Sequence, residues 1–483
     1  MDKIQLIIIV SIIILIIVLI IIGIIFNPKN SFIKDKKTTE KTPNFEGIKI
    51  PDIFAGVCIM GAAGSGKTRG VLAKLFQHYG KYNFSNIIYC YKTEELLTLG
   101  LPIINGLKLD GSNAKDLKNI YIIAPGNPEY TMKINLLDPD NFSNVVDIRS
   151  FFEIIIKATK GDNAKSSNNP FFDNAVLGAM VGLAYLFINE AKIHPEFIQY
   201  CNFAHFMLTL NKMPLDDICT LLSCSSQASA QSKTLLESRG SKETLSNIQS
   251  SIANVTGIFS NEIFLYCFYD ENNNYVKLVA NDDKKTFYLV NHTQNERVVI
   301  PILDGIIRIL LSRAQSTPEN KRVPTSLILD EAPTLSQEGL SQIPATMRSY
   351  KISTVYMLQD WSLVDQKTGG NQTGNAINAN LSTQFIGKIN DTGTSKKYEE
   401  LFSWYKEKKV SKNFDNKLFG GNTGGSISEE EKREHKAIEF HKLKTGEFFL
   451  FSEGNTKKIE LDYKNVQQLT SDLLHKIKIE NNT

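Results

Sequence analysis

A long hydrophobic run stands at the N-terminus of the chain. Residues Ile4–Phe26 are large and apolar except for Gln5, Ser11 and Gly23. At about 1.5 Å per residue, these 23 residues reach roughly 34 Å, enough to cross the hydrocarbon core of a membrane. The run is longer than a signal-peptide core and ends in Phe26-Asn27-Pro28, without a small-residue cleavage site. It therefore predicts a retained transmembrane anchor over residues 1–26.

The lysines around this run predict its orientation. Only Lys3 precedes it, whereas several follow closely: Lys29, Lys34, Lys36, Lys37 and Lys41. Because positive flanks stay on the cytoplasmic side, we expect a single-pass protein of the cell (inner) membrane, with its N-terminus outside and its body in the cytoplasm. Residues 27–49 are polar and lack apolar periodicity, which predicts a flexible cytosolic linker.

Beyond the linker, two periodicities divide the chain. Short apolar runs alternate with helical patterns over residues 54–138 and again over 286–465, which is typical of a doubly wound, mainly parallel α/β sheet. Between these parts, helical patterns predict an all-α insertion: Val145–Lys157, Phe172–Ala191, Phe203–Leu210, Asp216–Leu222 and Glu243–Phe259. Residues 223–241 fit either a helix or a loop. The apolar stretch Ala175–Ile188 has only 14 residues, so we interpret it as a buried core helix rather than a second membrane span.

Composition changes this picture only slightly. With 42% hydrophobic and 22% charged residues, the chain resembles an ordinary globular protein, and a net charge of +3 gives no argument for nucleic-acid binding. The cysteines form no C-x-x-C pair, so zinc is not expected, and their apolar flanks predict reduced core thiols. They are Cys58, Cys90, Cys201, Cys219, Cys224 and Cys267.

The first candidate site follows the apolar run Gly56–Met60. There, Gly61-Ala62-Ala63-Gly64-Ser65-Gly66-Lys67-Thr68 matches the pattern G-x₄-G-K-[ST], and a helical pattern comes next. The glycines let backbone N–H groups surround the β-phosphate of ATP at a helix N-terminus. Lys67 would reach the β- and γ-phosphates, and the Thr68 hydroxyl would ligate Mg²⁺. A chance glycine-rich turn is disfavoured by its flanking elements, so we assign nucleotide binding to residues Gly61–Arg69.

The second candidate site ends the apolar run Thr325–Leu329, where Asp330 and Glu331 follow. A P-loop enzyme needs a carboxylate on a neighbouring strand, and Asp330 would hold Mg²⁺ through water. Glu331 would orient or deprotonate the attacking water. An Asp-Glu pair alone is often only a helix N-cap, but beside a P-loop it indicates an ATPase site.

Two further polar residues extend this candidate site. Gln359 ends the run Ser353–Leu358 and would face the γ-phosphate from the carboxyl edge of the sheet, although it also fits a surface residue that starts a helix. Arg348 lies between the two runs. It fits either an arginine finger offered to a neighbouring subunit or a solvated surface arginine.

Together, these motifs resemble the type IV secretion coupling proteins, the TraG/TraD-type conjugative DNA-transfer ATPases related to FtsK/HerA translocases. The resemblance rests on the strand with Asp-Glu-x-Pro, Arg348, the strand ending in Gln359, and Asn380 before the run Thr383–Ile389. The N-terminal anchor, the helical insertion, Ile134–Asp138 and Lys444–Leu450 also fit that family. The resemblance covers residues 1 to about 465, but only the two nucleotide motifs are highly specific.

The chain departs from the family pattern in two places. Cys90-Tyr91-Lys92-Thr93-Glu94 stands where the family often has Asp-Pro-Lys-Gly-Glu, which puts a nucleotide-proximal role of this loop in doubt. One spanning helix is fewer than the usual two, so a periplasmic domain is not expected. In addition, the Gly-rich residues 419–425 fit a mobile loop with a channel-facing role or a plain surface hairpin.

The resemblance implies a RecA/FtsK-like P-loop NTPase sheet, divided into residues 50–140 and 263–470 by an all-α domain at 141–262, with a tail at 471–483. It also implies a homo-hexameric motor that uses ATP and Mg²⁺ and passes DNA, or a relaxase–DNA complex, to type IV secretion channel components at the membrane. Two alternatives remain. The chain fits an effector-recruiting receptor whose assembly is gated by nucleotide, or a related genome-packaging or segregation translocase.

Overall fold

A nine-stranded sheet is the centre of the computed structural model, which describes residues 39–160, 170–259, 261–337, 339–340, 342–401, 404–413, 424–433 and 435–476. The predicted anchor, the linker up to residue 38 and most of the Gly-rich patch lie outside the described residues. The strands are β1 (Asn44–Phe45), β2 (Ile48–Lys49), β3 (Val57–Met60), β4 (Ser85–Cys90), β5 (Ile120–Ile123), β6 (Thr286–Val290), β7 (Thr325–Leu329), β8 (Ile352–Leu358), β9 (Thr383–Ile386), β10 (Trp404–Asn413), β11 (Gly424–Arg433), β12 (Glu447–Ser452) and β13 (Asn455–Glu460).

The large sheet has the strand order β13-β12-β9-β3-β8-β7-β4-β6-β5. All pairs from β9 to β5 are parallel, and β12 is antiparallel to both β9 and β13. Because β3, β7 and β8 are adjacent and parallel, their carboxyl ends meet at one edge of the sheet. The predicted doubly wound, mainly parallel P-loop sheet is confirmed.

Helices cover both faces of this sheet and form the insertion. They are α1 (Ala73–Lys81), α2 (Glu95–Asn105), α3 (Val145–Lys160), α4 (Pro170–Ile193), α5 (Phe203–Lys212), α6 (Leu215–Ser223), α7 (Ser226–Gln231), α8 (Lys233–Glu237), α9 (Lys242–Thr256), α10 (Glu262–Leu265), α11 (Glu296–Ser316), α12 (Ile343–Met347), α13 (Ser362–Thr368), α14 (Gln372–Ala379), α15 (Thr392–Leu401), α16 (Ala437–His441) and α17 (Ser471–Lys476). The ambiguous residues 223–241 thus contain two short helices, and the predicted tail begins with a third.

Alternation along the strands explains why two cores form. Successive side chains of a strand point to opposite faces, so Val57 and Ile59 join the core under α1 and α2. Cys58 and Met60 face the other core, which the sheet shares with α3, α4 and α11. The central strands are buried on both faces and therefore read as continuous apolar runs.

Helix α4 is the core of the insertion. Of the helices in the described parts of the chain, it is the one long and apolar enough to cross a membrane, but 61% of its most apolar window is buried inside the protein. Gly178 lets α7 approach closely, because a Cβ there would lie 2.5 Å from the Gln231 carbonyl oxygen. The Ser232 hydroxyl donates to the Gly178 carbonyl over 2.9 Å. These contacts agree with the interpretation of this segment as a buried core helix.

Two smaller expectations can be compared with the structure. Strands β10 and β11 pair in antiparallel register, and Gly424 and Gly425 of the Gly-rich patch lie in β11. Residues 414–423 lie outside the described part. Five cysteines are buried as predicted, but Cys224 is exposed. Cys224 follows α6 at the surface of the insertion, so its interpretation as a core thiol was wrong.

Candidate nucleotide-binding site

The loop after β3 has the backbone shape of a phosphate-binding loop. Gly64 and Gly66 have φ angles of +74° and +94°, in the left-handed region that glycine adopts without strain. A Cβ on Gly61 would lie 2.7 Å from the Ser65 hydroxyl oxygen, so the loop also needs the missing side chain there. A helix begins at Lys67 and continues into α1. The loop therefore presents its amides at a helix N-terminus, where an anion is stabilised.

Lys67 lies inside this loop. Its side chain is buried, and its Nζ donates to the carbonyl oxygens of Gly61 and Ala62. Burial lowers the pKa of Lys67, while the nearby Glu331 and Asp330 carboxylates oppose that change. The ammonium group is thus held at the loop by weak neutral acceptors, which a phosphate group can replace.

The acidic pair lies at the end of β7, beside the loop. Asp330 and Glu331 are both buried, and Glu331 has a φ of +44°, an unusual backbone conformation for a glutamate. Burial, followed by repulsion from Glu331, raises the pKa of Asp330 to about 7. A carboxyl group with so unfavourable an environment needs a cationic partner to remain ionised.

Gln359 meets the acidic pair from the next strand. Its Nε2 donates to Glu331 Oε1 over 3.0 Å. The predicted position at the carboxyl edge of the sheet therefore agrees with the structure. The contact fixes one carboxylate oxygen of Glu331.

The donor set fits ATP and Mg²⁺. Two buried oxygens near the loop, Ser65 Oγ and Asp330 Oδ2, have no hydrogen-bond partner within the described residues. Orphaned buried oxygens are costly and are explained when a ligand or hydrated ion completes them. Asp330 and the half-buried Thr68 are oxygen donors of the kind that Mg²⁺ takes in P-loop sites. Arg69, the next residue after Thr68, is exposed.

The loop after β4 also belongs to this neighbourhood. The charges of Lys92 and Glu95 both act on the pKa values of Lys67 and Asp330. Lys92 Nζ and Glu95 Oε2 lie 3.7 Å apart. Lys92 and Glu95 thus lie near Lys67 and Asp330. Glu95 was not named from the sequence, because no motif marks it.

The structure does not bring Arg348 to this site. It lies in a short 3₁₀ turn, Arg348–Tyr350, before β8, whereas Gln359 follows that strand. The seven residues of β8 separate these ends by about 23 Å. Arg348 instead pairs with Asp52 Oδ2 over 2.7 Å at the opposite edge of the sheet.

One contributor escaped the sequence reasoning. The turn between α16 and β12 packs on the phosphate-binding loop, where the Thr445 hydroxyl donates to the Gly64 carbonyl over 3.0 Å. The Gly446 amide donates to the Ser65 carbonyl, also over 3.0 Å. The two segments are separated by 381 residues. The resemblance had marked Lys444–Leu450 without giving it a role.

A doubly wound sheet with these motifs at its carboxyl edge has the P-loop NTPase fold of the RecA/FtsK-like class. More particularly, residues 324–445 match the family described as the "TraM recognition site of TraD and TraG". No curated protein matches the chain by sequence.

Solved structures give the same assignment at the level of the fold. The bacterial conjugative coupling protein TrwB, in an unbound form lacking its first 70 residues, has a TM-score of 0.65 and 14% identity, covering 90% of this chain and 92% of that one. TrwB with the GTP analogue GDPNP has a TM-score of 0.65 and 15% identity, covering 90% and 93%. VirB4 of Thermoanaerobacter pseudethanolicus has a TM-score of 0.52 and 13% identity, covering 85% and 92%. The resemblance to TraG/TraD-type coupling proteins is confirmed.

Proposed function

We propose that the chain is a membrane-anchored, ATP-hydrolysing motor that couples DNA, or a relaxase–DNA complex, to a type IV secretion channel. The observation that carries this proposal is the meeting of Lys67, the Asp330–Glu331 pair and Gln359 at one edge of the sheet. The similarity to conjugative coupling proteins supports the cargo and the channel. Solved TrwB complexes with ADP and Mg²⁺ and with an ATP analogue support the choice of nucleotide.

The geometry suggests a division of work during hydrolysis. Lys67 exchanges its contacts with Gly61 and Ala62 for the β- and γ-phosphates. Thr68 and Asp330 would hold Mg²⁺, which would supply positive charge against the phosphates when bound. Glu331 orients the attacking water and accepts its proton, while Gln359 keeps the carboxylate in place. Such positioning and charge stabilisation are the main contributions that a protein makes to phosphoryl transfer.

Assembly would complete the site. In the proposed homo-hexamer, Arg348 would act on the nucleotide of the next subunit, because it lies at the far edge of its own sheet from its own nucleotide site. The anchor at Ile4–Phe26 would hold the ring at the inner membrane, with the ATPase body in the cytoplasm.

The test is the rate of ATP hydrolysis by the full chain in detergent, without cargo and with single-stranded DNA, duplex DNA or a relaxase–DNA conjugate. Stimulation by DNA or by the conjugate is expected, and Lys67→Ala should lose both basal and stimulated rates. Equal ATP hydrolysis rates for Lys67→Ala and the natural chain would refute the ATPase assignment. A hydrolysis rate of the natural chain that none of the cargoes changes would refute the coupling role.

A second candidate, an effector-recruiting receptor, is favoured by an apolar groove on the helical insertion. Leu183, Phe187 and Leu221 line it, and Phe197 and Tyr200 expose 46% and 49% of their surface at its mouth. Exposed apolar patches of this kind often bind proteins. In the cargo assay, stimulation by protein effectors but by no DNA would favour this candidate over the motor.

A further inference from the structure

The turn Lys444–Glu447, here named the clasp, forms two of the outer contacts of the phosphate-binding loop. The Thr445 hydroxyl donates to Gly64 O, and the Gly446 amide donates to Ser65 O. The clasp is itself rigid, because the Lys444 amide donates to the Glu447 carboxylate over 2.8 Å. That carboxylate also pairs with Lys458 of β13 over 3.0 Å.

These contacts control where the loop amides point. In a trans peptide the C=O and the N–H point in opposite directions. A clasp that holds the Ser65 carbonyl outward therefore turns the amide of Gly66 away from the clasp. Its bond to the Gly64 carbonyl fixes the preceding peptide, whose Ser65 amide donates within the loop to the Ala62 carbonyl over 3.2 Å. The Gly66 amide belongs to the run of loop amides whose concavity binds a phosphate group.

The fit between clasp and loop leaves no room for side chains. A Cβ on Gly66 would lie 3.0 Å from the Gly446 nitrogen. Gly446 has a φ of +87°, and a Cβ there would lie 2.8 Å from Tyr463 Cδ1 and 2.9 Å from the Leu461 carbonyl oxygen. The clasp thus connects the loop tightly to the segment that follows β13, since the Leu461 amide donates to Gly446 O over 2.9 Å.

We propose that Thr445 and Gly446 are positioning residues for the nucleotide. By holding the Gly64 and Ser65 carbonyls, they pre-organise the amides that bind the β-phosphate of a nucleoside di- or triphosphate. This inference rests on the proposed nucleotide site, but it does not depend on hydrolysis. It also gives the C-terminal part of the chain a role at the nucleotide site, although that part is far from the phosphate-binding loop in sequence.

The test compares two pairs of variants of the full chain. Thr445→Val keeps the shape but removes the hydroxyl, and Thr445→Ser keeps the hydroxyl. Gly446→Ala places a methyl group against Tyr463 and Leu461. Gly454→Ala is its matched control, because Gly454 has a similar φ of +76° in the β12–β13 turn and nothing within 4 Å of the added carbon.

The measurements are the Kd for fluorescent ADP, KM and kcat for ATP, and Tm. Thr445→Val should raise Kd and KM roughly two- to tenfold, the effect of one lost hydrogen bond, with kcat nearly unchanged. Thr445→Ser should restore both constants. Gly446→Ala should weaken ADP binding by more than Thr445→Val does, whereas Gly454→Ala should bind ADP like the natural chain even if its Tm falls.

The proposal would be overturned if Thr445→Val bound ADP with the Kd of the natural chain. It would also be overturned if Gly446→Ala and Gly454→Ala lost ADP affinity equally. These failures differ from failure of the proposed function. If the natural chain binds ADP, and the Thr445 variants change its Kd as expected, but ATP is never hydrolysed, the motor is refuted and the role of the clasp stands. A chain that binds neither nucleotide would refute both.

Discussion

Replacing Arg348 with alanine separates a catalytic role of this residue from a structural one. In its own subunit Arg348 touches Asp52 at the edge of the sheet opposite the nucleotide site. A structural role would therefore act through that ion pair. A catalytic role would act on the nucleotide of a neighbouring subunit and leave the fold of each subunit unchanged.

The structure sets the size of the structural effect. The Arg348 side chain is 56% exposed, and exposed ion pairs contribute about 0.2–1 kcal/mol. Asp52 would keep Lys41 at 3.2 Å and the Phe54 amide at 3.0 Å. Arg348→Ala should thus lower the free energy of unfolding by less than about 1 kcal/mol. Loss of an arginine finger would instead reduce kcat on the order of 10³-fold.

The assay measures urea unfolding, ATP binding and ATP hydrolysis for Arg348→Ala and for the control Lys41→Ala. The control removes the other partner of Asp52 and leaves the guanidinium in place. We expect Arg348→Ala to bind ATP normally and fail to hydrolyse it, and Lys41→Ala to hydrolyse it normally. Equal losses of activity in the two variants would show that Asp52 transmits the effect.

Mixing subunits tests whether Arg348 acts in trans. An interface between an Arg348→Ala subunit and a Lys67→Ala subunit can combine an intact loop with an intact arginine. Mixed rings should therefore recover part of the activity. Confirmed mixed rings that remain as inactive as either parent would refute action across the interface.

Other predictions concern the loop, the acidic pair and the anchor. Lys67→Ala should abolish hydrolysis without unfolding the chain, and near-normal turnover would contradict the assignment. Glu331→Gln should bind ATP and retain it unhydrolysed, whereas Asp330→Asn should weaken Mg²⁺-dependent binding; equal loss of binding in both would refute the division of roles. In intact cells, a cysteine at Ser31 should be protected from a membrane-impermeant thiol reagent and one at Asp2 should react. The reverse labelling would refute the topology.

Local patterns predicted the elements that carry the site. Gly56–Met60, the glycine-rich loop and the following helix are contiguous in sequence, so their order alone indicates a phosphate-binding loop. The apolar runs that end at Asp330 and at Gln359 likewise predict buried strands. Because parallel strands end at one edge of a sheet, the expectation that these residues lie together needed no knowledge of the strand order.

Contacts between distant segments could not be predicted in the same way. The Thr445 hydroxyl reaches Gly64 only because β12 joins the sheet beside β9, next to β3. The pairing of Arg348 with Asp52 spans 296 residues and depends on β3 and β8 being neighbours. The exposure of Cys224 depends on how α6 and α7 pack. None of these features leaves a periodic signal in the sequence.

The most direct test of the central claim is whether ATP hydrolysis moves DNA. The full chain would be bound to a DNA end that carries biotin and streptavidin, and release of streptavidin would be followed over time. We expect release with ATP and Mg²⁺, and none with ADP or with the Glu331→Gln variant. Rapid ATP hydrolysis on bound DNA with no release of streptavidin would contradict a motor function.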